Sequence, residues 1–244
     1  MKEILQHATE LPPSLYELIL RSAEGNPYYI EELVKMLIDE GAIIPHQAHW
    51  QVASEHLQTL RIPSTLTGIL QSRLDSLPDQ ERLTLQRSAV VGRTFWDLAI
   101  SALSTSEQIA LGDILKSLGQ QELIFPHPTS TFTGTHEYAF KHTILHDVTY
   151  ESVLKRDRRR YHASIAQWLI TKSGPRKDEV SGLIADHLEK AGQATQAIPY
   201  LRQAGEQARQ TFANAEAVAY FTRALALLPS NDAQARCELL LSRE

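Results

Sequence analysis

The stretch Tyr138–Leu154, YAFKHTILHDVTYESVL, constrains the fold more than any other part of the chain. Tyr138–Phe140 reads as a β-strand, and a helix begins near Thr143. Ile144, Leu145 and Val148 fall at i, i+1 and i+4, followed by Val153 and Leu154, which leaves one apolar helical face. His142 stands at the strand-to-helix joint. There the first backbone N–H groups of a helix lack partners and the dipole is positive, a place suited to an anion such as phosphate. The residues before this joint read as a compact mixed domain, and those after it read as helical hairpins.

In the front half, Pro12-Pro13-Ser14 introduces a short helix ending at Glu24-Gly25. GNPYYIEELVKMLIDEG follows. Asn26 is placed as an N-cap and Pro27 as the first helical residue, where no N–H is needed. Ile30, Leu33, Val34, Leu37 and Ile38 form the apolar face, and Gly41 closes the helix. Ala42–Ala53 reads as a small hairpin bending near Pro45 and His46. Leu66, Ile69, Leu70, Leu74 and Leu77 line the next helix, and Glu81–Val91 forms another that ends at Gly92. Phe95 and Trp96 are expected as core residues of a further short helix. A helix over Ser106–Leu118, a strand over Glu122–Phe125, a polar tip over Pro126–Gly134 and the returning strand complete a winged-helix pattern. The tip is expected to be mobile.

Behind the joint, Tyr161, Ile165, Trp168 and Leu169 lie at i, i+4, i+7 and i+8 of one helix. Its start carries the basic run Lys155, Arg156, Arg158, Arg159, Arg160, read either as a solvated helix end or as a patch facing phosphate or an acidic partner. Residues 198–231 match a tetratricopeptide-like unit of roughly 34 residues. Gly205, Ala217, Phe221, Ala224 and Pro229 take its small, aromatic and turn places. The preceding unit, around Ile184–Gly192, is degenerate. One good repeat does not bury its own face, so the chain is expected to be a segment of a longer protein.

The net charge of −5 gives no support to a nucleic-acid or acidic-membrane partner for the chain as a whole. Its one cysteine, Cys237, excludes an intrachain disulfide and points to a cytoplasmic location. His46, His49 and His56 lack Cys or acidic company at ligand spacing, so no metal is expected. The sequence holds no GxxxxGK[ST], HExxH, GxSxG or paired CxxC, so catalysis within this chain is not expected. His146-Asp147 is rejected as a dyad because adjacent helical residues point about 100° apart.

Taken in order, GNPYYIEELVKML, IPSTLTGILQSRLDSLP, LQRSAVVGRTF and FKHTILHDVTYESVLKRDRRRYHASIA carry a resemblance, together with the helical tail. The chain resembles the C-terminal half of a bacterial STAND-type signal-transduction ATPase of the AAA+ group. Such modules occur fused to adenylate/guanylate cyclases, to kinases and to LuxR-type transcription regulators. The resemblance implies a mainly α fold: a helical lid over residues 1–60, a winged-helix domain with small β-hairpins over 61–155, and a linker helix with tetratricopeptide-like hairpins over 156–244. It implies that Gly25, Asn26 and Pro27 lie against adenine and that His142 reaches the β-phosphate of ADP. Leu145-His146-Asp147 is closer by letters to the family's MHD element, but the family places the histidine directly after the strand, as His142 is. Thr143 stands where plant-receptor relatives have Asp. The phosphate loop would lie in an upstream nucleotide-binding core of the same chain, so the segment alone would hold ATP or ADP poorly. A protein or peptide would be sensed by the helical repeats.

Two further readings remain beside it. One is a protein-interaction scaffold without a nucleotide role. The other is a winged-helix DNA-binding regulator, against which the expected recognition helix carries Glu107 and Asp113 with only Lys116 in opposition.

Overall fold

The structure, a computed structural model, describes residues 26–45, 50–53, 63, 65–103, 111–174 and 178–243. These residues are mainly helical, with two small antiparallel sheets. The expected helix before Glu24, the glycine Gly25 and the histidines His46, His49 and His56 lie outside the described residues. The chain divides into two compact units, Met1–Arg82 and Leu83–Glu244.

The first unit begins with α1 (Pro27–Asp39), whose N-cap is Asn26 and whose first residue is Pro27, as the residue types require. Gly41 follows the helix at φ +68°, the left-handed conformation in which a Cβ would be strained. The strands β1 (Ile43–Pro45) and β2 (Trp50–Val52) then pair with Ile43 opposite Val52. Helix α2 (Leu66–Ser76) packs on α1. Tyr29, Leu33, Val34, Met36, Leu37, Ile43 and Ile69 form the core of this unit. Within it, the carboxylate of Glu32 on α1 meets the guanidinium of Arg73 on α2 at 2.5 Å, both nearly sealed from solvent.

Helix α3 (Asp79–Val91) leads into the second unit. Strand β3 (Thr94–Trp96), α4 (Asp97–Ser101), α5 (Leu111–Gln120), β4 (Ile124–Pro126) and β5 (Glu137–Phe140) follow. The sheet order is β3-β5-β4, with Phe95 opposite Tyr138 and Phe125 opposite Ala139. This element order is that of a winged helix. One expectation fails here. Phe95 and Trp96 lie in a strand, not in a short helix. Gly92, at φ +152°, breaks α3 sharply, and its absent Cβ would stand 3.1 Å from the Thr94 carbonyl. The chain leaves that turn extended, and aromatic residues suit a pleated surface. Phe95 then packs edge-on to Phe140 at 5.6 Å.

The wing tip, for which mobility is expected, is packed and hydrogen-bonded. Phe132 is 2% exposed. Glu137 Oε2 accepts hydrogen bonds from Thr131 N (2.7 Å), Thr131 Oγ1 (2.8 Å) and Trp96 Nε1 (2.9 Å). Burial pushes the Glu137 carboxyl up, but these hydrogen bonds, with His127 nearby, outweigh it and hold it below the ordinary carboxylate range. A polar tip is thereby tied back to its own strand.

Beyond β5 come α6 (Thr143–Ser152) and the long α7 (Lys155–Ser173). Then α8 (Ser181–Lys190), α9 (Ala194–Gln210), α10 (Asn214–Leu227) and α11 (Ala233–Arg243) each pack on their neighbour. Short turns between them make antiparallel hairpins. Small residues set the spacing: Ala197, Ala204, Ala208, Ala217 and Ala224 are all buried. Gly205 and Phe221, the small and aromatic places of the expected repeat, meet face to face. A Cβ on Gly205 would stand 2.7 Å from the Phe221 ring. Gly205→Ala gains roughly 1 kcal/mol of helix propensity but overpacks this contact at a cost of about 1–3 kcal/mol. The expected result is a lower urea midpoint for unfolding. An unchanged or raised midpoint contradicts close α9–α10 packing.

Candidate functional site

Asn26 and Pro27 open α1, and both are exposed. The Asn26 side-chain oxygen accepts from Tyr28 N (3.1 Å) and Tyr29 N (3.4 Å). That oxygen is spent on the helix, so the bend presents the Pro27 ring and backbone outward. Tyr29 Oη donates to the Pro63 carbonyl at 2.8 Å and ties this turn to the chain entering α2. Burial, and then Glu32, push the neighbouring Tyr28 phenol well above its ordinary value.

His142 belongs to the second unit. It is the N-cap residue of α6, with extended backbone (φ −136°, ψ 143°), and it is half-buried. Its side chain makes no capping hydrogen bond to α6. The strand-to-helix joint, separated from the end of β5 by one residue, is where the sequence places it.

One turn further on, the expectation that His146 and Asp147 point apart does not hold. His146 and Asp147 do meet: Nδ1 lies 2.8 Å from Oδ1, because the exposed aspartate folds back along the helix. The pair is not poised to activate a nucleophile. His146 Nε2 is 3.0 Å from the Ala89 carbonyl in the last turn of α3, so both ring nitrogens are engaged.

A second group of histidines lies deeper, and the sequence reading passed over it. Tyr150 Oη on α6 is 3.0 Å from Nε2 of His162 on α7. His162 Nδ1 is 2.8 Å from Nδ1 of His187 on α8. His187 is also hydrogen-bonded to the backbone of Val91, the final residue of α3, in a bond that favours its charged form. A ring N–H that donates to a carbonyl has this effect. The two imidazoles are 1% and 4% exposed. Burial first, then His187, Lys190 and Arg158, push His162 down to about 3. Burial and then Lys190 push His187 down to about 3, against the opposing bond to Val91. Both rings are thus neutral near pH 7.

Neutrality fixes the direction of the line. A neutral His187 has one N–H, which goes to the Val91 backbone, so its Nδ1 accepts from His162 Nδ1–H. His162 Nε2 then accepts from the Tyr150 hydroxyl. Every polar atom named has a partner, and the two imidazoles are nearly sealed from solvent. Helix ends leave their last carbonyls without helical partners. Here His146 covers Ala89 and His187 covers Val91, so two other helices are pinned to the end of α3. A sequence signal existed. His162 shares the buried stripe of Ile165, Ala166 and Leu169, and His187 that of Ile184 and Leu188.

The basic run is divided in use. Arg158 bonds Glu151 at 3.0 Å and stands 4.8 Å over the Tyr150 ring. Lys155, Arg156, Arg159 and Arg160 are exposed. Beside α9 lies an open groove of about 780 Å³. Asp178, Glu179, Arg202, Gln203, Glu206 and Gln207 line it with mixed polarity. Among the described residues no set of three His, Cys, Asp or Glu could hold a metal ion, and no helix is long and apolar enough to cross a membrane.

The class these features define is a mainly helical chain with a winged three-stranded sheet and a train of helical hairpins. No family model matches it. The chain is 24% identical over 232 residues to an uncharacterized protein of Rhizobium meliloti (strain 1021), an alignment covering 91% of this chain and 21% of that relative. The chain thus spans about a fifth of the relative's length.

Proposed function

We propose that this chain is a non-catalytic regulatory part of a nucleotide-dependent signalling switch of the STAND type. In this reading an upstream core of the same polypeptide supplies the phosphate loop. The lid bend at Gly25, Asn26 and Pro27 and the winged-helix His142 close over ATP or ADP, and the helical hairpins, read as tetratricopeptide-like repeats, take a protein or peptide partner. The observation that carries it is the setting of His142. It is separated from β5 by one residue, in extended backbone, as the N-cap residue of α6. That is where an imidazole and helix N–H groups can share one phosphate. The polar groove beside α9 supports the partner role of the arm.

A charge-assisted hydrogen bond to phosphate contributes about 1.5–3 kcal/mol. Couplings of ~1–3 kcal/mol suffice to bias a two-state switch. In the longer protein, His142→Ala is therefore expected to weaken ADP by roughly 10- to 100-fold, since each ~1.4 kcal/mol is tenfold. The measurement is calorimetric titration of ADP. An unchanged affinity removes His142 from the mechanism and leaves the scaffold reading.

A further inference from the structure

The two imidazoles between α7 and α8 are costly groups to keep in a dry interior. A leucine pair would pack there without any hydrogen-bond requirement. What the imidazoles add is a directional polar line that crosses four helices: Tyr150 on α6, His162 on α7, His187 on α8 and the Val91 carbonyl on α3. We propose that Tyr150, His162 and His187 form a proton-sensitive latch that holds the first helix of the hairpin arm against the end of α3 and lets go when the rings are protonated.

A first proton taken at His162 Nε2 turns the Tyr150 hydroxyl from donor to acceptor and leaves a charge in the buried line. A second sets two N–H groups against each other across 2.8 Å. Neither charge finds a counter-ion at hand. Lys190 on α8 and Arg158 on α7 are the cations that bear on the pair. The acids of the surrounding elements are committed elsewhere: Glu151 on α6 to Arg158, and Asp186 and Glu189 on α8 to Arg223 of α10. His146, stacked on Tyr150 at 6.2 Å, is engaged by Asp147 and the Ala89 carbonyl. From α3 the contribution is the Val91 carbonyl, which accepts a hydrogen bond but cannot neutralise a charge.

An imidazole freed into water titrates near its ordinary value of about 6.5. Protons therefore bind the open form better than the latched one over the window between about 6.5 and about 3. The sign is fixed by that difference. The latch is at full strength above pH 6.5 and weakens as pH falls. Each released imidazole shifts the open-to-latched ratio by up to roughly tenfold per pH unit in that window. The inference stands apart from the nucleotide reading, because it concerns this chain without ligand.

The experiment is amide hydrogen exchange on the whole chain between pH 7.5 and 5, corrected for intrinsic exchange. Nitrogen-15 spectra of the imidazole rings accompany it. The expected result is that amides of α8 and the last turn of α3 lose protection as pH falls, while those at the α9–α10 contact keep theirs. In His187→Gln, whose amide can still donate to the Val91 carbonyl, α8 protection should no longer follow pH. An identical pH profile in wild type and variant overturns the proposal. Should the variant not fold, the wild-type ring spectra decide. Neutral His162 and His187 rings in the protected chain at pH 5 support the latch. Charged rings with α8 still protected sink it.

Discussion

Arg73→Met is expected to remove about 3–5 kcal/mol from the first compact unit, the cost of leaving a buried charge without its partner. The Glu32 carboxylate is 2% exposed and Arg73 is 8% exposed, so water compensates little when the guanidinium is gone. Lys35 stands 3.6 Å from the other Glu32 oxygen and softens the loss toward the lower end of that range. The ion pair joins α1 to α2, and the helices otherwise meet through Leu33, Leu37 and Ile69. The double change Glu32→Leu with Arg73→Met should recover most of the loss. An apolar pair of similar volume avoids the desolvation that both charges incur. The measurement is exchange protection of the α1 amides, because the two units need not unfold together. A loss below about 1 kcal/mol in the single variant would show that α1 and α2 hold without the pair. Failure of the double variant to recover would show that the charges specify the packing rather than merely tolerate it.

The sequence made the helices legible wherever a cap and a stripe agreed. Asn26, Pro27 and Gly41 bracket α1 by mechanisms that act within a few residues. The start of α6 after His142 was legible for the same reason: a strand-to-helix switch is a local pattern. The failures share a different cause. Thr94–Trp96 becomes a strand because β5, more than 40 residues later by number, supplies the ladder. The wing tip is fixed by a carboxylate at Glu137 and an aromatic pocket that no window on the tip contains. His146 and Asp147 meet because a short side chain can turn back along a helix, which a rule about Cβ directions does not include.

The candidate site divides along the same line. The placement of Asn26, Pro27 and His142 was readable from neighbours in sequence. The line from Tyr150 to Val91 was not, because it is assembled from four helices. His162 and His187 sat on buried stripes, and a histidine on such a stripe in each of two consecutive helices was the available clue. A buried imidazole needs a partner, and the next helix is the nearest place to look for one. The same reasoning explains why the end of α3 matters so much to the second unit. Its last carbonyls require donors from outside the helix, and the donors that arrive bring α6 and α8 with them.

Phe132→Ala is expected to cost the second unit about 3–5 kcal/mol, the usual range for deleting a sealed aromatic side chain. Phe132 meets Trp96 of β3 edge-on at 4.9 Å and Trp168 of α7 edge-on at 5.3 Å, while the two indoles stack at 5.8 Å. Each such pair adds about 0.5–1.5 kcal/mol beyond area burial. The ring is therefore the wedge by which a polar hairpin tip grips both its own sheet and α7, the helix that leads into the arm. Two consequences separate this role from ordinary core filling. Loss of the wedge opens a path for water to Trp96 and Trp168, so tryptophan emission should shift to longer wavelength under native conditions. Glu137→Gln, by contrast, keeps the ring cluster and one acceptor while losing charge-assisted bonds, and should cost only about 1.5–3 kcal/mol with little shift. Urea unfolding followed by fluorescence and by helical dichroism reads both quantities. If Phe132→Ala leaves the midpoint near that of wild type, the tip moves freely in solution, and the docking of α7 rests on Tyr161, Ile165 and Leu169 alone.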